Sequence, residues 1–499
     1  FRTGVSLAHV RGRFKRAHRR SSYRIPADPP PAESKGRSSR SGIATTPLPS
    51  GSYDDDTSAG SFPGAPMSTI HSFKAIRPAP PHAAEVSCPP YDVISTDEAR
   101  VLAEGRDGSF LHVIRPEIDF PKEADPYDDA IYAHGRDELA RLIDEELMVE
   151  DDEPGMFVYR LVRDGRRQLG LVCTVDAAEY RDGRIRRHEK TRPDKEDDRT
   201  RHLLVSSSHA EGVFLAYRDA ADAEGRIRRL LVSGTAERPL IHFVADGVTP
   251  TLWRVPAPQA FIDAFEPLPE LYIADGHHRS AAGERAARDR ASHDPRHDGG
   301  EEYNRILAAI FPADDLEILP YNRVVKDLNG LSESEFLERL AGIGEVAPVP
   351  AGEPPSPPAR HEVLVRLTGG WHRLAFPVET VDESDPIGSL DVSLLQDRIL
   401  HPVLGIGDPR TDRRIDFVGG VRGTGELERR VDSGDAAIAF AMHATSMAEL
   451  LRVAERLVGV GLGGGIMIRS VEKTVSGRIP VANVRRFWSC AVALTVLVV

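Results

Sequence analysis

Residues 271–282 read LYIADGHHRSAA, and the fold turns on how they are read. LYIAD is short, apolar and bounded by Gly, which predicts a buried strand over Leu271–Asp275. His277–Arg290 is rich in Ala and Arg and predicts a helix. A strand that passes through Asp-Gly straight into a helix leaves backbone N–H groups uncovered at the helix N-terminus. With the helix dipole, those groups favour an anion. Gly276 lets a phosphate approach the backbone closely, and His277, His278 and Arg279 add donors on the first turn. The plain alternative is an Asp-capped helix with a surface His pair. Adjacent helical residues point about 100° apart, so His277 and His278 make poor joint ligands for one metal.

Upstream, residues 186–202 read RRHEKTRPDKEDDRTRH, ionisable side chains broken only by Thr and Pro. Such a run is usually a solvated face. Here both signs interleave and strand residues precede. Glu189, Lys190, Arg192, Asp194 and Lys195 offer a general base, phosphate contacts and a magnesium ligand within one loop. Asp275 is a second candidate magnesium ligand. A third polar spot is Tyr91-Asp92, which the rigid Pro89-Pro90 pair can aim into a cleft. The patterns HExxH, GxGxxG and GxxxxGK[ST] are absent, which disfavours a zinc protease, a dinucleotide enzyme and a P-loop enzyme. Ser206-Ser207-Ser208 lacks the glycines of a nucleophile elbow.

The chain of 499 residues carries 64 Lys and Arg against 77 Asp and Glu, a net charge of −13. That argues against a nucleic-acid binder working through a broad basic surface. Cys88, Cys173 and Cys490 are too few for a disulfide scaffold. No apolar run reaches the length of a membrane helix, the tail Trp488–Val499 being too short, so a soluble cytoplasmic protein is expected. Residues 1–66 hold eleven Lys or Arg and five acids, with Ser and Pro in abundance. They are expected to be a disordered basic extension, untranslated in the natural protein if Met67 is the start. Residues 67–345 should form an α+β core and 346–360 a Pro-rich loop, with 361–458 a C-terminal α+β part and 459–499 an atypical tail. Hairpins are expected at Asp164-Gly165 and Gly369-Gly370, and a helix from Ser95 or Thr96 through Ala103. A turn and short strand are expected over Ser87–Ser95. Together these predict an α+β fold of mixed and antiparallel sheets with hairpins and packed helices.

The segments IRPAPP (76–81), PPYDVIS (89–95), FLHVIRPEIDFP (110–121), RRHEKTRPDKEDDRTRHL (186–203), YIADGHHRSAA (272–282) and ILPYNRVVKDL (318–328) closely resemble the bacterial domain of unknown function 1015 family. The family has no assigned activity. It typically ends in a Met-Pro-Pro-Lys-Ser-Thr segment, which is not found in residues 456–499. The strand–DGHHR–helix element also looks like the phosphate-binding element of the partition-protein-B/sulfiredoxin-like fold. That fold includes partition proteins, sulfiredoxins and kinases of free serine. The likeness implies that Gly276, His277, His278 and Arg279 hold nucleotide phosphates and that Glu189 or Asp194 is the base or metal ligand. His278 is an alternative base, and Lys190, Arg192 and Lys195 face the transferred phosphate. The function so implied is a phosphotransferase using ATP or ADP with Mg²⁺ on a small hydroxylated metabolite, free serine being the sharpest candidate. The alternatives are a non-enzymatic nucleotide-binding regulator and a phosphodiesterase or nuclease. The expected partners are a nucleotide and a small-molecule substrate.

Overall fold

The computed structural model describes residues 69–458 other than 93, 190, 223, 246, 351–354 and 410, together with 497–498. The 1–66 extension, Lys190, Cys490 and, but for 497–498, the 459–499 tail lie outside the described residues.

The described chain opens with β1 (Ile70–His71), β2 (Ala75–Pro78) and α1 (Ala83–Val86). Helix α2 (Thr96–Ala103) starts where its capping chemistry requires. The Ser95 hydroxyl accepts from the Glu98 N–H at 3.2 Å, and the Glu98 carboxylate accepts from the Ser95 N–H at 2.9 Å. The strand expected within 87–95 is not found among the described residues. The Pro89-Pro90 pair makes this a turn without ladder donors. Then come α3 (Leu111–Ile114), α4 (Asp129–Asp144) and β3 (Met148–Glu150), the last paired with β2.

Strands β4 (Phe157–Arg163) and β5 (Arg166–Asp176) form the expected hairpin. Asp164 (φ 48°) and Gly165 (φ 78°) both take the left-handed conformation that matches a tight turn to strand twist. After α5 (Ala177–Arg181) the charged run proves not to be one loop. Its start is β6 (Ile185–Arg186) and its end is α6 (Pro193–Ser206), leaving 187–192 as the connection. Pro193 sits in the first turn, where a missing N–H costs nothing, and Asp194 and Glu196 answer the dipole. Nor is the run a wholly solvated face, because α6 buries Asp198 and Thr200.

Next are β7 (Val213–Tyr217), α7 (Arg226–Ser233), β8 (Ile241–His242), β9 (Val248–Arg254), α8 (Pro258–Phe265), β10 (Leu271–Asp275), α9 (His277–His293) and β11 (Arg305–Pro312). The nine-stranded sheet runs β6-β10-β7-β11-β5-β4-β9-β8, with β1 beside β5. Its β6–β10 and β7–β11 pairs are parallel and the rest antiparallel. One apolar layer joins Leu171, Cys173, Leu215, Ile273 and Ile310 to Phe261 and Phe265 of α8. Because β6 and β10 are parallel neighbours, the helices that follow them begin side by side, and α6 packs along α9.

The second sheet uses β12 (Tyr321–Val325), β13 (Glu345–Pro348), β14 (Glu362–Leu367), β15 (Gly370–Ala375), β16 (Ile415–Gly419) and β17 (Ile438–Met442). Their order is β13-β15-β14-β17-β12-β16, all antiparallel. Helices α10 (Glu333–Ala341) and α11 (Asp391–Leu395) cover the face of Val325, Val363 and Phe440. Helix α12 (Gly423–Asp432) covers the face of Val324, Leu364 and Ala439. This sheet draws β12 and β13 from before residue 361, so its limits differ from the division expected at 345. Residues 346–348 of the expected Pro-rich loop lie in β13, an edge strand, which is where proline is tolerated. Helix α13 (Met447–Val458) docks back on the first sheet, where Leu450, Leu451 and Ala454 meet Ala216 and Tyr272. No described helix is long and apolar enough to cross a membrane. The α+β fold of mixed and antiparallel sheets is therefore as the sequence predicts.

Candidate functional site

Gly276 holds φ at +94°, and a Cβ there would sit 3.1 Å from the Arg279 guanidinium. It therefore supplies both a left-handed turn and room for its neighbour. The helix it opens has no side-chain cap and no acid in its first turn. By helix geometry its leading N–H groups have no intrahelical acceptor.

The side chains of that turn point inward. His277, His278 and Arg279 are 3%, 7% and 8% exposed, so they are not phosphate arms reaching into solvent. Instead, His277 Nε2 accepts the His188 N–H at 3.4 Å and His278 Nε2 accepts the Arg192 N–H at 3.1 Å. Two histidines that diverge on the helix thus fasten two points of one loop. The 187–192 connection is held onto the first turn of α9, and the two polar segments meet in space. The His188 ring packs edge-on to His277 at 4.3 Å. Burial, opposed by the Ile273 carbonyl, pulls the His188 pKa down to about 4. Burial, reinforced by His188, His278, Arg187 and Arg279, holds His277 well below its ordinary value. Both rings are neutral braces at pH 7.

Arg279 donates to the Gly212 carbonyl at 2.6 Å and to Asp275 Oδ2 at 2.6 Å, with Asp92 Oδ2 at 3.7 Å. Burial opposes its charge, but Asp275, Asp92 and Glu211 outweigh burial and hold its pKa above the usual range. Glu211 accepts the Tyr91 N–H at 3.1 Å. Burial pushes its pKa up to about 7; Asp92 adds to the rise, and Arg279 and Arg199 oppose it. Arg199 lies 4.0 Å over the Tyr91 ring and binds Asp198 Oδ2 at 2.7 Å, while Tyr132 donates to Asp198 Oδ1 at 2.9 Å. A cavity of about 50 Å³ between α4, α6 and α9 is lined by Tyr132, Arg199, His202, Ser208, Glu211 and Arg279, among others. At roughly 10–15 Å³ per water it holds a few waters, not a nucleotide. Neither Glu189 nor Asp194 lines it.

The remaining sequence candidates lie on the other side of the turn. Glu189 is half-buried in the connection, and Lys195 is half-buried in the first turn of α6. Arg192 and Asp194 are exposed and pair at 2.6 Å. Burial opposes the Asp194 charge, but Arg192 and Lys195 together outweigh it and hold its carboxyl below the usual range. Asp194 and Asp275 are each engaged by an arginine, and no three metal-ligating side chains cluster among the described residues.

Sequence reasoning missed Glu211, Asp198 and Arg199. The last two were present in the charge run. A helical reading would have set Asp198 and His202 on one face as an i, i+4 pair. Glu211 carries no local signal; its neighbours come from residues 91–92, 199 and 279.

Acidification should expose the buried histidines. The folded pKa of His188 lies below its ordinary 6.5, so the folded state binds fewer protons between about pH 4 and 6.5. Its contribution is intact above 6.5 and is lost as pH falls, on the order of 3 kcal/mol in full. Urea titrations of the parent and His188→Asn from pH 7.5 to 4.5 should diverge in slope, the constant cavity cost dropping out. Parallel profiles would show that His188 does not titrate in this window.

The architecture defines an α+β protein whose candidate anion site lies where two adjacent parallel strands feed two adjacent helices. The chain belongs to the family described as protein of unknown function (DUF1015), whose model matches residues 70–393. No curated protein matches the chain. Among solved structures, it is similar to a conserved hypothetical protein from Pyrococcus furiosus at 13% identity and TM-score 0.26, covering 57% of this chain and 85% of that one. A free serine kinase in complex with AMP matches at 14% identity and TM-score 0.26, covering 57% and 82%. SbnI with a C-terminal truncation, from Staphylococcus aureus, matches at 8% identity and TM-score 0.21, covering 58% and 96%. Similarity at this level assigns no activity to the chain.

Proposed function

We propose that the chain is a cytoplasmic phosphotransferase that moves a phosphoryl group from ATP or ADP to a small hydroxylated metabolite, free serine being the sharpest candidate. The observation that carries this reading is the first turn of α9. It is an uncapped helix start without acids, opened by a left-handed glycine, with the 187–192 connection fastened against it. Leading N–H groups and the helix dipole suit a phosphate. Phosphoryl transfer asks mainly for positioning and charge neutralisation. In this reading the backbone of Gly276–Arg279 grips phosphate, and the buried His277, His278 and Arg279 hold the turn in shape. Arg192 and Lys195 approach from the other side. Glu189 accepts the hydroxyl proton, Asp194 being engaged by Arg192 at 2.6 Å. Mg²⁺, if used, arrives with the nucleotide. The net charge of −13 makes nucleic acid a poor partner.

A regulatory role that binds nucleotide without turnover is the second reading. Its support is that both acids suggested for magnesium, Asp194 and Asp275, are tied to arginines. Thermal shifts of the full chain with ATP, ADP, CTP and pyrophosphate plus magnesium, followed by phosphate transfer to serine, separate the two. One nucleotide should raise the melting temperature, and Glu189→Gln should keep that shift while losing about 100-fold in turnover. Binding without turnover selects the regulator. A folded chain stabilised by none of these ligands ends both readings.

A further inference from the structure

The motif at 318–328 plays no part in the proposed transfer, yet it places a charge where none is expected. Strand β12 reads Tyr-Asn-Arg-Val-Val, and strand alternation sends Tyr321, Arg323 and Val325 to one face. On that face the cross-strand partners of Arg323 are Phe417 of β16 and Phe440 of β17. The same-face positions on either side are Ile415 and Gly419 on β16, and Ile438 and Met442 on β17. None of these is an acid. Asp416 alternates to the opposite face, where Arg430 holds it at 2.8 Å.

Arg323 is 8% exposed, and no described carboxylate pairs with it. Its Nη1 donates to the Tyr321 carbonyl. Its guanidinium carbon lies 5.6 Å from the centroids of both the Tyr321 and Phe417 rings. Those rings stack at 5.2 Å with an interplanar angle of 11°. Burial, opposed by Tyr321, lowers the Arg323 pKa to about 10, so it remains a cation at neutral pH. None of its nitrogens is both buried and without a hydrogen bond, so the donors left over reach solvent. A desolvated guanidinium facing apolar neighbours is costly unless an anion completes it. Aromatic rings help to hold its plane but cannot neutralise it.

We propose that Arg323, backed by the Tyr321–Phe417 stack, is a binding site for a small oxyanion, the carboxylate or phosphate group of a metabolite. The planar fork of guanidinium donors matches both groups, and the apolar surroundings strengthen the contact. This site is independent of the first turn of α9 and stands whether or not that turn binds nucleotide.

Calorimetric titration of the full chain with inorganic phosphate and, separately, acetate tests the proposal and distinguishes its two sources. One of the anions should bind saturably, and Arg323→Met should weaken that binding at least tenfold. Without anion, Arg323→Met should melt at or above the parent temperature, because an uncompensated buried charge is gone. Any thermal shift from ATP should persist in this variant, which separates the site from α9. Arg323→Lys keeps the charge but loses the fork. It should bind more weakly than the parent, and it supplies the comparison if the Met variant does not fold. Unchanged affinity in both variants overturns the proposal. So does the absence of saturation by either anion up to about 50 mM, well beyond a millimolar Kd.

Discussion

Arg279→Ala is expected to lower the unfolding free energy by about 3–5 kcal/mol, the cost of removing one partner from a buried charge network. The side chain is 8% exposed and answers Asp275 at 2.6 Å, the Gly212 carbonyl at 2.6 Å and Asp92 at 3.7 Å. Without it, Asp92 and Glu211 are left buried with less counter-charge, and the Gly212 carbonyl loses its donor. Urea unfolding followed by circular dichroism measures the effect, and a loss below about 1 kcal/mol would contradict this account of Arg279. The result also governs how the site is probed. Loss of nucleotide response in Arg279→Ala would report a damaged fold as readily as a missing phosphate contact. Glu189→Gln, at a half-buried position in the connection, is the cleaner substitution.

The second large effect concerns Glu211. Its folded pKa of about 7 lies above the ordinary 4.5, so between those values the folded state keeps a proton that the unfolded state has released. Stability from this group therefore falls as pH rises through the window, by on the order of 3 kcal/mol in full. Below pH 4.5 that contribution is fully present, and above about 7 it is lost. Glu211→Gln keeps an oxygen for the Tyr91 N–H and removes the titration. Its stability relative to the parent should rise from pH 5 to pH 8. His188 acts in the opposite sense between about 4 and 6.5, so the parent should show a muted slope there. In Glu211→Gln the full rise with pH should emerge. Identical profiles for the two proteins would show that Glu211 is ionised across this range.

Local structure was legible where residues carry their own instructions. The helix capped at Ser95, the Asp164-Gly165 turn and the LYIAD strand need only neighbours in sequence, and each appears at or within a residue of its expected bounds. The run at 186–202 misled because charge density masked a helix. Pro193, with acids in the first turn and a buried face carrying Asp198, Thr200 and part of Arg199, makes α6 amphipathic in a polar sense that hydrophobic periodicity does not register.

The sequence by itself determined the α+β class, the hairpins and the strand–glycine–helix junction at Asp275–His277, because each depends on periodicity or a short-range backbone requirement. Tertiary structure alone decided what those polar residues do. The parallel pairing of β6 with β10 sets α6 beside α9 and turns His277 and His278 into acceptors for backbone N–H groups of a loop nearly ninety residues away in sequence. The same folding gathers Asp92, Glu211 and Arg279 from three distant segments into one desolvated network. It also leaves Arg323 on an apolar face of a second sheet. Burial and counter-charge are properties of the assembled interior, where the low dielectric makes each partner's position decisive, and no single stretch of the chain encodes them.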